Sequence, residues 1–131
     1  MINFFSKYKF IFYIANISLT ILYLFPGSIL GFFFYNNIKI QPQITPDFIV
    51  STNHVYAFFL LSILGILTFL DSKILKFLII YLIFLSIILE IFHLIIPERG
   101  FEFSDLFGNI IGVMIAVIIN YLYKKYENYK N

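Results

Sequence analysis

Four apolar runs separated by short polar breaks constrain the fold of this chain more than any motif does. They lie near residues 10–34, 48–70, 74–96 and 104–123. A helix needs about 20 mostly apolar residues to cross the hydrocarbon core of a bilayer. Inside a membrane every backbone N–H and C=O group must be paired, which favours helices for runs of this kind. The sequence therefore predicts an all-α integral membrane protein, a four-helix bundle with four transmembrane helices.

The composition agrees with this fold class. Hydrophobic residues make up 61% of the 131 residues and charged residues only 12%, whereas about 25% of the residues of a soluble domain are charged. We expect a single membrane domain over residues 1–131, in which any function lies in the helices or the short loops. The chain has no cysteine, so disulfides, thiolate catalysis and cysteine-ligated metals are excluded.

Lysine and arginine are distributed unevenly among the segments that connect the runs. Seven of the nine basic residues lie in the N-terminal segment, the second loop and the C-terminal tail: Lys7, Lys9, Lys73, Lys76, Lys124, Lys125 and Lys130. The first and third loops contain only Lys39 and Arg99. Because basic loops stay in the cytoplasm, this bias predicts a multi-pass membrane protein with both termini cytoplasmic. We expect membrane lipids, and no nucleic acid, as partners.

The third loop and its flanks contain an unusual concentration of charge. The stretch EIFHLIIPERGFEFSDLFGNIIG, from Glu90 to Gly112, contains four of the seven acidic residues and the only arginine. Placing a charged side chain in hydrocarbon costs roughly 2.5–3.5 kcal/mol on insertion scales, so such residues usually face other protein groups or water. We interpret the stretch as the end of one membrane helix, a tight loop and the start of the next.

Polar and small residues recur at steps of three and four in every run, which places each set on one helix face. In chain order the sets are Asn16, Thr20, Tyr23 and Gly27; Ser51, His54, Ser62 and Gly65; Ser86, Glu90, His93 and Pro97; and Asp105, Asn109, Gly112, Ala116 and Asn120. Such faces predict a shared interior, where small residues allow close approach and polar residues hydrogen-bond across helices. The ionisable members fall near the outer ends of the helices, so we expect them to meet at the extracytoplasmic face.

The spacing of these residues resembles that of the VanZ-like family of small bacterial membrane proteins. The matching pieces are His54-x-x-x-Phe58, Glu90-x-x-His93, Pro97-x-Arg99 and Asp105-x-x-x-Asn109-x-x-Gly112. They cover roughly residues 51–112, about half of the chain. The chain departs from the family pattern at four positions. Val50 and Ser51 replace an Asp-Lys pair, His93 replaces a Gln, and Glu98 replaces the Gly before the arginine.

The resemblance implies a protein of the bacterial cytoplasmic (inner) membrane. It also implies a role in the cell envelope, because the founding member of that family is associated with resistance to the glycopeptide teicoplanin. We therefore expect a polar site that binds or modifies an envelope lipid, a lipid-linked compound or a glycopeptide-like compound. The resemblance leaves the reaction and the oligomeric state open. The candidate ligand-binding residues are His54, Glu90, His93, Arg99, Asp105 and Asn109.

Other interpretations of the same residues remain open. In a purely structural protein, Ser104 or Asp105 would cap the fourth helix, Arg99 would pair with Glu90 or Asp105, and Asn109 would bridge helices. In a lipid-active membrane enzyme, Glu90 would act as general acid or base with His54 as its partner.

Metal binding and transport are less favoured by the sequence. Glu90 and His93 have the i, i+3 spacing of metal sites in helical bundles, and His54 with Asp105 would complete four ligands. With only two histidines in the chain, we predict no metal and no cofactor. Four short helices also make a poor pore by themselves.

Overall fold

Helices joined by loops and turns make up the part of the chain that the structure describes. The structure, a computed structural model, describes residues 4–130 and contains no strand within them. Its helices are α1 (Phe4–Lys7), α2 (Phe10–Leu24), α3 (Ile29–Tyr35), α4 (Thr52–Phe69), α5 (Leu75–Phe92) and α6 (Phe103–Lys130). The predicted all-α class is confirmed, while the predicted domain, 1–131, extends beyond the described residues at both ends.

Three of these helices, α4, α5 and α6, are long and apolar enough to cross a membrane. Helices α2 and α3 pass the same test only as a pair, and they are bent by 82° at the break between them. The chain thus has three candidate membrane-spanning helices, or four if the bent pair forms one span. This agrees with a multi-pass membrane protein.

The helix bounds differ from the predicted ones at several ends. Helix α4 starts at Thr52 rather than near residue 48, because the Asp47 carboxylate accepts a hydrogen bond from the Thr52 backbone N–H (2.9 Å) and holds the preceding residues in a loop. Helix α5 ends at Phe92, and turns replace the predicted last helical residues before Pro97. Helix α6 continues to Lys130, since its polar tail contains good helix formers and no glycine or proline.

The first predicted span is interrupted where Pro26 and Gly27 predict a kink. Gly27 has a positive φ of 86°, a conformation that side chains with a Cβ rarely adopt. Ser28 then caps α3, its hydroxyl accepting a hydrogen bond from the Gly31 backbone N–H (2.8 Å). At its other end α3 stops at Asn36, whose φ of 51° is left-handed. The chain folds back there, and the Ser28 N–H donates to the Ile38 carbonyl oxygen (2.7 Å).

Helices α4 and α6 pack backbone against backbone through two glycines. A Cβ built on Gly108 would lie 2.7 Å from the Ser51 carbonyl oxygen, and one on Gly112 would lie 2.5 Å from the Val55 carbonyl oxygen. Both separations are too short for any side chain. The spacing Gly108-x-x-x-Gly112 is the small-residue pattern that brings membrane helices into close contact.

The interior of the packed helices is polar in places where a soluble core is apolar. Ser62, Ser86, Glu90 and Asn109 are fully buried, whereas Phe, Ile and Leu side chains cover much of the outer surface. An extensive exposed apolar surface of this kind is unfavourable in water, and it fits a chain that is surrounded by lipid.

Candidate functional site

All six predicted site residues meet where one end of each of four helices comes together. The C-terminal ends of α2 and α5 and the N-terminal ends of α4 and α6 meet in a region that we call the polar end. Its members are Tyr23, His54, Glu90, His93, Arg99, Asp105 and Asn109. We call the opposite end the lysine end, because Lys9 lies over the Phe69 ring there (5.5 Å) and the Lys124 ammonium group donates to the Leu70 carbonyl oxygen (3.5 Å).

Asn109 joins three helices at the centre of the polar end. Its Nδ2 donates to the Ser86 carbonyl oxygen of α5 (3.1 Å), which can only accept and therefore fixes the orientation of the amide. Its Oδ1 must then accept from the Tyr23 hydroxyl of α2 (2.7 Å) and from His54 Nδ1 of α4 (3.0 Å). The expectation that Asn109 bridges helices is confirmed.

Glu90 is completely buried, and only one of its two carboxylate oxygens is hydrogen-bonded. Oε1 accepts from the Glu102 backbone N–H (3.0 Å). Oε2 lies 3.2 Å from His93 Nδ1, but without the geometry of a hydrogen bond, so it has no hydrogen-bond donor among the described residues. An unpaired oxygen of a buried carboxylate is costly, and it marks Glu90 as the least satisfied polar group of the region.

His93 and Arg99 stabilise the end of α2. His93 Nε2 lies 3.0 Å from the Tyr23 carbonyl oxygen, which requires the proton to be on that nitrogen. The Arg99 guanidinium donates to the carbonyl oxygens of Leu22 (2.9 Å) and Phe25 (3.2 Å). These carbonyls are free because α2 stops at Leu24, and a cation is favourable at a helix C-terminus.

The position of Arg99 corrects one structural expectation, that it would pair with Glu90 or Asp105. Within residues 4–130, neither carboxylate forms an ion pair with Arg99. Burial lowers the pKa of the Arg99 guanidinium, while the nearby Tyr23 and the two carboxylates act in the opposite direction. Arginine remains a cation in any case.

The start of α6 differs slightly from the predicted cap. Helix α6 begins at Phe103, so Ser104 and Asp105 lie within its first turn rather than before it. The Glu102 carbonyl oxygen accepts from the Asp105 and Leu106 backbone N–H groups (3.1 and 3.0 Å). A carboxylate in the first turn still complements the helix dipole.

His54 and two carboxylates form a compact group beside Asn109. His54 Nε2 lies 3.5 Å from Asp105 Oδ2, and one ligand atom each from His54, Glu90 and Asp105 lie within 4.8 Å of one another. Of the residues considered for metal binding, these three meet in that group. His93 is not part of that group, and its Nε2 contacts the Tyr23 carbonyl oxygen instead.

A cavity of about 310 Å³ opens between α2, α3 and α4. Three predicted site residues, His54, His93 and Arg99, lie at its polar side. Its apolar wall is formed by Leu19, Leu22, Ile29, Leu30, Phe34, Ala57 and Leu60. Glu90 and Asp105 are not among the residues that line it.

Several residues of the site were not singled out as site residues by the sequence. Tyr23 belongs to a polar stripe, and only the fold places its hydroxyl group on Asn109. Gln41 and Asn53 line the cavity, but they lie in or beside a loop that carries no periodic signal. The packing role of Gly108 was predictable, since Gly108-x-x-x-Gly112 in an apolar run is a known pattern for close helix packing.

These features define the class of the protein: a helical chain with three or four helices able to cross a membrane and a polar site at one end. Beyond this class, no family model, curated protein or solved structure matches the chain.

Proposed function

We propose that the chain is a VanZ-like, four-span protein of the bacterial cytoplasmic membrane that binds a cell-envelope lipid or lipid-linked compound at its extracytoplasmic face. In this proposal α2 and α3 form one bent span, and both termini lie in the cytoplasm. The separation of the two ends supports this orientation, since the excess of basic residues lies opposite the cavity.

The cavity between α2, α3 and α4 is the observation that carries the proposal. It combines a polar side, with His54, His93 and Arg99, and a wall of leucine, isoleucine and phenylalanine side chains. An amphiphile needs both surfaces, one for its head group and one for its chain. Ligand sites are commonly apolar clefts with a few polar groups that fix orientation.

The charges around the cavity favour an anionic head group. Arg99 is the only lysine or arginine among the described residues that line it, and no aspartate or glutamate lines it. Two of the five N–H donors of Arg99 bind the carbonyl oxygens of Leu22 and Phe25, which leaves three for a ligand. A phosphate group matches such a donor array.

The cavity volume narrows the ligand class. At about 310 Å³, it lies at the lower end of the roughly 300–1,000 Å³ typical of small-molecule sites. That volume holds a phosphorylated head group and part of a chain, and it is too small for a whole glycopeptide. A lipid or lipid-linked phosphate is therefore favoured over a glycopeptide-like compound.

A second candidate is a structural membrane protein whose polar cluster only joins helices. Asn109 and Arg99 favour it, because their hydrogen bonds already hold α2, α4, α5 and α6 together. This candidate gives the cavity no role. A change that fills the cavity without touching the hydrogen bonds therefore separates the two candidates.

Ala57→Phe is such a change, since Ala57 lines the cavity and has no side-chain polar group. The purified chain in detergent would be titrated with a polyprenyl phosphate, with phosphatidylglycerol and with phosphatidylcholine, and bound lipid measured by native mass spectrometry. We expect a phosphorylated anionic lipid to bind the wild type at least about tenfold more tightly than phosphatidylcholine, and Ala57→Phe to lose that preference.

Ile118→Phe is the matched control, because it adds bulk to an exposed position of α6 and should bind like the wild type. If wild type and Ala57→Phe bind all three lipids alike, the ligand proposal is wrong and the structural candidate is supported.

A further inference from the structure

We propose that His54, Glu90 and Asp105 form a binding site for one divalent transition-metal ion of the zinc or manganese type. The proposal does not depend on lipid binding, because none of the three needs the cavity to be occupied. It rests on the geometry of the three side chains, on the fixed orientation of His54 and on the unpaired oxygen of Glu90.

The hydrogen bonds of Asn109 prepare His54 for a metal ion. Because the Ser86 carbonyl fixes Asn109 Oδ1 as an acceptor, His54 must carry its proton on Nδ1. When neutral, its Nε2 then has a free lone pair. Metal-binding histidines usually donate their other ring N–H to a fixed acceptor, which sets the tautomer and the ring orientation.

That lone pair lies close to a second acceptor. His54 Nε2 is 3.5 Å from Asp105 Oδ2, and when His54 is neutral neither atom carries a hydrogen, so a cation between them is favourable. Ligands 2.0–2.1 Å from a tetrahedral zinc ion lie about 3.3 Å from each other. The observed separation is thus close to that of a metal-bound pair.

Glu90 supplies the third ligand and an independent reason for a cation. One ligand atom each from the three residues lie within 4.8 Å of one another, so closing the group around an ion needs movements on the order of 1 Å. Glu90 is fully buried, and its Oε2, which lies 3.2 Å from His93 Nδ1, has no hydrogen-bond donor within residues 4–130. A metal ion would compensate this carboxylate in the way that a hydrogen bond does elsewhere.

The donor set indicates the class of metal. One imidazole nitrogen and two carboxylate oxygens suit zinc or manganese, whereas magnesium and calcium prefer oxygen ligands only. A divalent ion balances the two carboxylates, and water would complete the coordination. The His54 and Asp105 side chains are 15% and 20% exposed, so an ion can reach the site from outside.

The test uses the full chain, purified in detergent, stripped with a chelator and titrated separately with Zn²⁺ and Mn²⁺ by calorimetry. We expect one equivalent of at least one of these ions to bind the wild type. Asp105→Asn and His54→Gln should weaken binding by about 100-fold or more, since even residues behind the ligands cost 10- to 100-fold. Titration with Co²⁺ gives a second measurement, because tetrahedral Co²⁺ bound to nitrogen and oxygen absorbs visible light.

Glu98→Gln is the matched control, because it removes an exposed carboxylate from the loop between α5 and α6 and should bind the ion like the wild type. Ala57→Phe should also retain metal binding, which keeps this test separate from that of lipid binding. Glu90→Gln could disrupt folding because Glu90 is fully buried. The deciding variant is therefore Asp105→Asn, since Asp105 is only half-buried. Failure of the wild type to bind either ion, or equal binding by Asp105→Asn, would overturn the proposal.

Discussion

The two ends of the packed helices are held together by different kinds of contact. At the polar end α4 and α6 touch through their backbones at Gly108 and Gly112, and Asn109 joins three helices by hydrogen bonds. At the lysine end aromatic side chains fill the space, as where Phe12 packs edge-on against Phe69. Backbone contacts and buried hydrogen bonds cannot adjust, whereas side chains can. We therefore expect the polar end to be the less tolerant of change.

The glycines test this difference most strongly. A Cβ on Gly112 would meet the backbone of α4 at 2.5 Å, whereas one on Gly65 would meet the Phe12 side chain at 2.8 Å. Gly112→Ala should lower the free energy of unfolding by about 3 kcal/mol, the upper part of the range for overpacking, and Gly65→Ala by about 1 kcal/mol. Unfolding in mixed micelles with increasing SDS measures both.

Gly100→Ala is the control for that pair, because nothing lies within 4 Å of a Cβ built on Gly100. It should leave stability unchanged. If Gly112→Ala and Gly65→Ala lower the free energy of unfolding equally, the polar end is no less tolerant of change than the lysine end.

Asn109→Leu should have the next largest effect. It keeps the number and branching of the side-chain heavy atoms but removes three hydrogen bonds between helices. Bonds of this kind average about 0.6 kcal/mol in a membrane protein, so we expect a loss of about 2 kcal/mol in the same SDS assay. Asn120→Leu, at a half-buried position towards the other end of α6, should cost much less, and the reverse order would contradict the central role of Asn109.

Arg99→Gln tests how much a cation stabilises the polar end. The Arg99 guanidinium binds two carbonyl oxygens at the end of α2, and its loss should cost about 1 kcal/mol, as for a cation at a helix C-terminus. The end of α2 should also exchange its amide hydrogens faster. Hydrogen exchange over residues 22–28 measures this local effect, and unchanged exchange there would show that Arg99 does not stabilise the end of α2.

Lys124→Gln is the matching change at the lysine end and should have the smallest effect. Its ammonium group reaches a single carbonyl oxygen, that of Leu70, at 3.5 Å, and exposed contacts of this kind rarely matter by more than about 0.5 kcal/mol. If Lys124→Gln lowers the free energy of unfolding in the SDS assay as much as Arg99→Gln does, the cation at the lysine end stabilises the fold as much as the cation at the polar end.

The sequence predicted the helical class because runs of about 20 apolar residues allow few other structures in lipid. It also predicted the break at Pro26 and Gly27, since both residues disfavour a continuous helix. The 82° bend was not predictable, because it depends on how α3 and the loop after it pack back on the chain. For the same reason the sequence suggested carboxylates as partners of Arg99, although the carbonyls freed by the bend bind it instead.

The candidate site was predictable only in part. Spacing placed His54, Glu90, Asp105 and Asn109 on inward faces, and the fold brings them together. The orientation of Asn109, which decides which nitrogen of His54 carries the proton, depends on the Ser86 carbonyl of another helix. The cavity is likewise formed by side chains from α2, α3 and α4 together, and no single segment contains a signal for it.

The convergence of helix ends at the polar end is the central claim, and disulfide crosslinking tests it most directly because the chain has no native cysteine. The Ser51 backbone N–H donates to the Ser104 carbonyl oxygen (3.2 Å), which brings these residues near the Cα separation of about 4.4–6.8 Å that a disulfide spans. Cysteines at Ser51 and Ser104 should form a disulfide in membranes upon mild oxidation, whereas cysteines at Ser51 and Ser72 should not. Crosslinking of the second pair without the first, measured by mass spectrometry, would contradict the convergence of these helix ends.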